Sequence, residues 1–213
     1  MADDKDGTES VLQDKIEEIK AKEGQDMEMH FDSAEYAPKF QEWIDDYEHD
    51  VGLFKDIVAD PEAPEELRRL FAGALMYGIR VIDLVPDNYK PIGTIDDTLV
   101  LRIMADLSAE WTAELPDPKH MKAVFKLAND AETIKEFLGE ETYRDLENYV
   151  REQPDKATHG INANSVIKDT AVLRELFKQV DEEMRGFKAV AIDDGAKAER
   201  ELKSYLHAKL GKK

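Results

Sequence analysis

Cysteine is absent from this sequence of 213 residues. Without thiols the chain can form no disulfide bond, thiolate zinc site, iron–sulfur cluster or cysteine nucleophile, and its composition does not point to an oxidising compartment. Long apolar runs are missing too, since the longest, Leu70 to Ile79, has ten residues, about half of the ~20 that a membrane-spanning helix needs. The acidic start of the chain lacks the basic and apolar regions of a secretory signal. We therefore expect a cytoplasmic protein.

Motifs of known enzymes are scarce as well. The five histidines show none of the spacings of a helical metal site, and the chain has no glycine-rich phosphate loop or dinucleotide fingerprint. Ser165 and Lys168 form a Ser-x-x-Lys string, but the partner motifs of that enzyme class are missing, so we interpret the match as chance. These observations favour a protein without catalytic activity, although they leave the question of an enzyme open.

Negative charge is present in large excess and is unevenly distributed. The net charge is -19; residues 1–66 contain 22 acidic and 6 basic residues, whereas residues 67–213 contain 26 and 23. Such a field repels phosphate backbones and anionic lipid headgroups and attracts basic protein surfaces. We therefore expect a protein partner, no nucleic acid and little membrane contact.

Helical periodicity extends through most of the chain, and no segment shows the alternation of a strand. The predicted helices cover 33–58, 67–82, 95–107, 118–128, 131–150, 164–180 and 194–210. We predict an all-α fold of six to eight helices, with an acidic N-terminal arm at 1–30 and a single globular multi-helix domain at 31–213. A helical hairpin at residues 64–108 forms its core, and the first helix of this hairpin is expected to be the central one.

The corner of this hairpin contains the most informative pattern of the chain. Its positions are Tyr77, Asp83, Leu84, Pro86, Asp87, Gly93, Asp96 and Asp97. Across residues 67–105 the pattern resembles the YkvA-like domain, a family of unknown function. The resemblance implies a helical hairpin and brings no catalytic residues. Val81 stands where that family usually has proline, which together with a polar loop suggests a soluble variant of a family whose members are often membrane-associated.

Four aspartates, Asp83, Asp87, Asp96 and Asp97, lie within fifteen residues around this corner. Converging carboxylates are the usual ligands of Mg²⁺ and Ca²⁺. One prediction is therefore a divalent-metal site, with a metal-dependent activity.

Helix and turn chemistry offers a second interpretation of the same aspartates, and it is the one we prefer; it requires no cofactor. Thr94 has the sequence position of an N-cap, Asp97 follows three residues later as in a capping box, and Asp96 falls in the first turn. Asp83, near a helix C-terminus, needs a partner, for which the candidates are Arg80, Lys90 and Arg102.

We expect a bacterial regulatory protein that binds a partner protein through an acidic surface, as an inhibitor, an escort or an adaptor. Metal-dependent activity at the aspartate corner is the alternative. Peripheral membrane association is a second alternative, through the basic C-terminal helix and its apolar face. That face consists of Leu202, Tyr205, Leu206 and Leu210.

Overall fold

The structure, a computed structural model, describes residues 34–80, 84–86 and 89–211. Within these ranges the chain forms nine α-helices, a short 3-10 helix at Gln153–Asp155 and no strand. The helices are α1 Ala37–Ala59, α2 Glu65–Tyr77, α3 Ile92–Leu107, α4 Ala109–Thr112, α5 Pro118–Leu138, α6 Glu140–Arg151, α7 Ala163–Lys168, α8 Thr170–Gly186 and α9 Gly195–Leu210. The all-α prediction is confirmed. The predicted arm, residues 1–30, lies outside the described residues.

Helix α1 has one apolar and one charged side. Its apolar residues recur every three or four positions and are buried. Pro38 lies in the first turn, where its missing N–H is tolerated, and the helix ends at Ala59, one residue beyond the predicted end. Ser33, the predicted start, lies outside the described residues, but residues 34–36 are described and not helical, so the helix begins later than predicted, at Ala37. The first amides are capped from α9, where the Glu199 carboxylate accepts hydrogen bonds of 2.7 Å from the N–H groups of Tyr36 and Ala37.

Helix α3, and not α2, is the central helix, which corrects our expectation. Every residue from Ile92 to Ala105 is buried, because α3 packs against α1, α2, α4, α5, α6 and α9. Helix α2 is half-exposed near its start and ends at Tyr77 instead of Ile82. Its last turn is closed by the N–H of Gly78, which donates to the carbonyl of Ala74. The two helices pack on each other as the predicted hairpin core.

Two further predicted helix boundaries are wrong. Helix α5 continues through residues 129–130 to Leu138, and the chain turns at Gly139, whose φ of 78° glycine adopts without strain. The single helix predicted for 164–180 is divided into α7 and α8. The division occurs at Asp169, which leaves the helical conformation and accepts a 2.7 Å hydrogen bond from the Ala171 N–H as the N-cap of α8.

Close contacts fix the helices around this core. Phe54 of α1 stacks on Phe71 of α2 with ring centroids 3.8 Å apart. At Gly73 of α2 a Cβ atom would lie 2.7 Å from the Cα of Pro154, so only glycine allows this approach. Among the helices described, none is long and apolar enough to cross a membrane.

Candidate functional site

The solvent side of α1 carries four exposed carboxylates: Glu42, Asp45, Glu48 and Asp56. At 100° per residue they fall within about 120° of the helix circumference and extend over about 21 Å of its length. The buried apolar stripe holds α1 in this orientation, so the carboxylates face water together. We call this set the acidic face.

The segment that contains the acidic face has few bases, and both are engaged within the fold. Residues 34–66 contain 11 acidic residues and two basic ones, Lys39 and Lys55. The Lys39 ammonium lies 3.2 Å from the Asp130 carboxylate of α5 and 3.1 Å from Glu42, and Lys55 pairs with Asp181 of α8. Both lysines therefore neutralise acids of their own domain.

The ion pairs of Lys39 hold its charge firmly. Partial burial would lower the pKa of Lys39, but the hydrogen bond to Glu42 and the carboxylate of Asp130 outweigh it and raise the pKa overall. Lys39 stays charged and bound in the neutral range, so α1 presents a predominantly negative surface.

Beneath α1 lies a buried group of charges that we call the Arg102 cluster: Arg102 of α3, Asp50 of α1 and Asp130 of α5. The Arg102 guanidinium donates to Asp50 at 3.1 Å, to Asp130 at 3.3 Å and to the Thr98 carbonyl at 3.1 Å. It also lies 4.6 Å from the centre of the Trp43 ring, a cation–π contact. Only 1% of Arg102 is exposed. Because its hydrogen bonds reach α1 and α5 from α3, this one residue connects three helices.

A cavity of about 60 Å³ adjoins the Arg102 cluster and has room for a few water molecules. Burial raises the pKa of Asp50 to about 6, a shift that Arg102 opposes and the nearby Asp46 reinforces. Burial also lowers the pKa of Arg102, against the attraction of its two carboxylates. The charged and titratable residues that line the cavity are Glu42, Asp46, His49, Asp50, Arg102, Lys126 and Asp130.

Sequence reasoning missed the Arg102 cluster, although one signal was available. Arg102 is the only basic residue in a helix that is otherwise apolar around its centre, and a charge on such a helix requires a buried partner. We considered Arg102 as a partner for Asp83. Its described partners are instead Asp50 and Asp130, which lie 52 and 28 residues away along the chain.

The aspartate corner is only partly within the described residues. Asp83 and Asp87 lie outside them, while Asp96 and Asp97 are buried in α3. The Tyr77 hydroxyl donates to Asp96 Oδ2 at 2.7 Å, and the same oxygen accepts from the Val85 N–H at 3.3 Å. Asp96 thus fixes the chain after α2 to the start of α3.

Tyr77 completes this anchor, because its oxygen also accepts a 3.0 Å hydrogen bond from the Leu84 N–H. Burial, reinforced by the Asp96 charge, raises the pKa of Tyr77 well above its usual value. The phenol therefore stays protonated and serves as a donor.

The predicted capping box at the start of α3 is wrong. The helix begins at Ile92 with Pro91 as its N-cap, because the carbonyls of Tyr89 and Pro91 already accept from the amides of the first turn. Thr94 is therefore a buried residue inside the helix, and neither Asp96 nor Asp97 lies in the first turn. Their burial has to be explained by tertiary contacts, which for Asp96 are those with Tyr77 and Val85.

No group of three histidine, aspartate or glutamate side chains suited to a metal ion occurs within 34–80, 84–86 and 89–211. Because Asp83 and Asp87 fall outside these ranges, the Mg²⁺ or Ca²⁺ site stays a prediction.

The C-terminal helix α9 directs its apolar face into the core. Leu202 and Leu206 are fully buried, and the Tyr205 ring lies 5.4 Å from that of Tyr89. The side chains that would insert into a membrane are therefore used for packing in this fold.

Comparison with family models, curated proteins and solved structures finds no match to this chain. The resemblance of residues 67–105 to the YkvA-like domain stays a prediction. Function therefore has to be inferred from the surfaces and clusters of the chain itself.

Proposed function

We propose that this is a non-catalytic, cytoplasmic protein that binds a basic partner protein through the acidic face of α1, as an inhibitor, an escort or an adaptor. The main support for the proposal is the charge balance of residues 34–66, which contain 11 acidic residues and two lysines. Lys55 pairs with Asp181, and Lys39 lies between Asp130 and Glu42, so Glu42 is the one carboxylate of the acidic face that a lysine of this segment neutralises among the described residues.

The placement of these carboxylates suits electrostatic recognition. They are exposed, lie on one rigid helix and extend over about 21 Å, which is more than twice the Debye length of about 8 Å at physiological salt. Only a partner with several basic groups along its surface can neutralise all of them at once. Complementary charge of this kind accelerates association and excludes acidic competitors.

The acidic arm adds further negative charge to the N-terminal part of the chain. Residues 1–33, which include the acidic arm, contain 11 acidic and four basic residues. A basic partner attracted to α1 is attracted to the arm as well. We therefore expect removal of residues 1–30 to weaken capture of the partner while the helical domain stays folded.

The alternative of metal-dependent activity has less support in the described residues. The Asp96 carboxylate already accepts two hydrogen bonds that hold the hairpin corner, and this role explains its burial without an ion.

Affinity capture from a lysate of the native cells tests the proposal. The full-length tagged protein is compared with a face variant that carries Asp45→Asn, Glu48→Gln and Asp56→Asn. These residues are exposed and take part in no ion pair among the described residues, so their neutralisation should leave the fold intact. Eluates collected at about 0.1 M and about 1 M salt, between which the Debye length falls from about 10 Å to about 3 Å, are analysed by mass spectrometry.

A matched control separates the acidic face from net charge. Glu141→Gln, Glu182→Gln and Glu183→Gln remove the same number of charges from exposed positions on α6 and α8. The proposal predicts one basic protein that the wild type and the control retain at low salt and the face variant loses. Equal retention by both variants, or no stoichiometric partner for the wild type, would contradict the proposal.

A further inference from the structure

The Arg102 cluster holds one more negative charge than positive charge. Arg102 is the single guanidinium between the carboxylates of Asp50 and Asp130, and both accept hydrogen bonds from it. Asp130 has a second cation in Lys39, whereas the one ion pair of Asp50 among the described residues is with Arg102. Asp50 is 5% exposed, so water does little to stabilise its charge.

Apart from Arg102, no cation of the other helices forms an ion pair with Asp50 among the described residues. From α1 the cavity beside Asp50 is lined by Glu42, Asp46 and His49, from α3 by Arg102, and from α5 by Lys126 and Asp130. Lys126 is 67% exposed and reaches outward to Glu42 and Asp46, at 4.0 and 3.8 Å. None of the residues that line the cavity comes from α2, α8 or α9.

We propose that the Arg102 cluster is a proton-binding switch: Asp50 takes up one proton as the pH falls below neutrality, and this uptake strengthens the junction of α1, α3 and α5. The cavity gives water, and hence protons, a place beside the carboxyl group. The protonated carboxyl still accepts from Arg102 through its carbonyl oxygen, while Asp130 keeps the guanidinium paired.

The sign of the effect follows from the direction of the shift. Burial raises the pKa of Asp50 to about 6 in the folded chain, above the value of 3.8 of an unperturbed aspartate. The protonated form is therefore favoured in the folded state relative to the unfolded one. Its contribution to stability is complete below about pH 4 and is lost as the pH rises through about 6.

The size of the effect follows from the same shift. A difference of about two pKa units corresponds to about a hundred-fold change in the folding equilibrium constant between the two pH limits. The stability of Asp50→Asn, which cannot ionise, should lack this part of the pH dependence.

Urea denaturation of the full-length protein and of Asp50→Asn, at about pH 5 and about pH 7.5, measures the effect. Between these pH values the folding equilibrium constant of the wild type should fall by about ten-fold more than that of the variant, because pH 5 lies about one unit below the raised pKa of Asp50. His49→Gln removes the histidine beside Asp50 and should retain the pH dependence of the wild type. Equal pH dependence of the wild type and Asp50→Asn would overturn the proposal.

Carbon-13 NMR of the Asp50 carboxyl group in the wild type provides a readout that does not depend on how the variants fold. The titration should have its midpoint near pH 6. A midpoint near or below pH 4, the range of an ordinary aspartate, would overturn the proposal whatever the stabilities of the variants are.

Discussion

Replacement of Arg102 by methionine should be one of the most damaging single substitutions in the domain. Methionine fills much of the space of the arginine stem but removes the guanidinium that donates to Asp50, Asp130 and the Thr98 carbonyl. Two carboxylates then face each other in a site where the arginine was 1% exposed. Breaking a buried ion pair from one side costs about 3–5 kcal/mol.

Two features of the site moderate this cost. Lys39 stays paired with Asp130, and Asp50 can take up a proton, because burial already raises its pKa to about 6. We therefore expect a loss of about 3 kcal/mol in the free energy of unfolding at about pH 7.5, and a smaller loss at about pH 5.

Urea denaturation followed by far-ultraviolet circular dichroism measures this loss. Arg144→Met, at an exposed position of α6, is the matched control and should change the free energy of unfolding by less than about 0.5 kcal/mol. Adding Asp50→Asn and Asp130→Asn to Arg102→Met should recover much of the loss, because no buried charge is then left unpaired. A loss below about 1 kcal/mol for Arg102→Met, similar to that of the control, would show that the Arg102 guanidinium does not hold the three helices together.

Three further predictions concern other contacts. Glu199→Ala should lower the free energy of unfolding by about 1–3 kcal/mol in the same urea assay, because two amides at the start of α1 lose their acceptor. Gly73→Ala should cost about 1–3 kcal/mol, because the new methyl group meets the backbone of Pro154 at 2.7 Å. If Asp96 and Asp97 belong to a divalent-metal site, millimolar Mg²⁺ or Ca²⁺ should raise the melting temperature, whereas the structural role of Asp96 predicts no change.

The sequence was sufficient to predict helices that have a clear apolar stripe or a strong end signal. Helical periodicity predicted α1 over 33–58 and α9 over 194–210, and in the structure α9 begins directly after Asp194, whose carboxylate accepts from the Lys197 N–H. Breaks set by a single residue were missed. The helices end at Gly139 and Asp169, although the apolar residues keep their helical spacing across both positions, so the apolar pattern does not indicate these ends.

The candidate sites could be predicted only in part, for a physical reason. The acidic surface is a local property of composition, and the sequence reveals it directly. The Arg102 cluster depends on the packing of α1, α3 and α5, which brings together residues far apart in the chain. Tyr77 and Asp96 were both recognised as part of one pattern, but their hydrogen bond follows from the fold of the corner.

In the proposed complex, the acidic face of α1 is the surface that contacts the partner. Carbodiimide cross-linking of the captured complex tests this contact most directly, because this reagent joins carboxylates to lysines only where they touch. We expect isopeptide bonds between lysines of the partner and Asp45, Glu48 or Asp56, exposed carboxylates of α1. Cross-links that leave all three residues unmodified and occur instead at Glu141 of α6 or Glu182 of α8 would contradict this proposal.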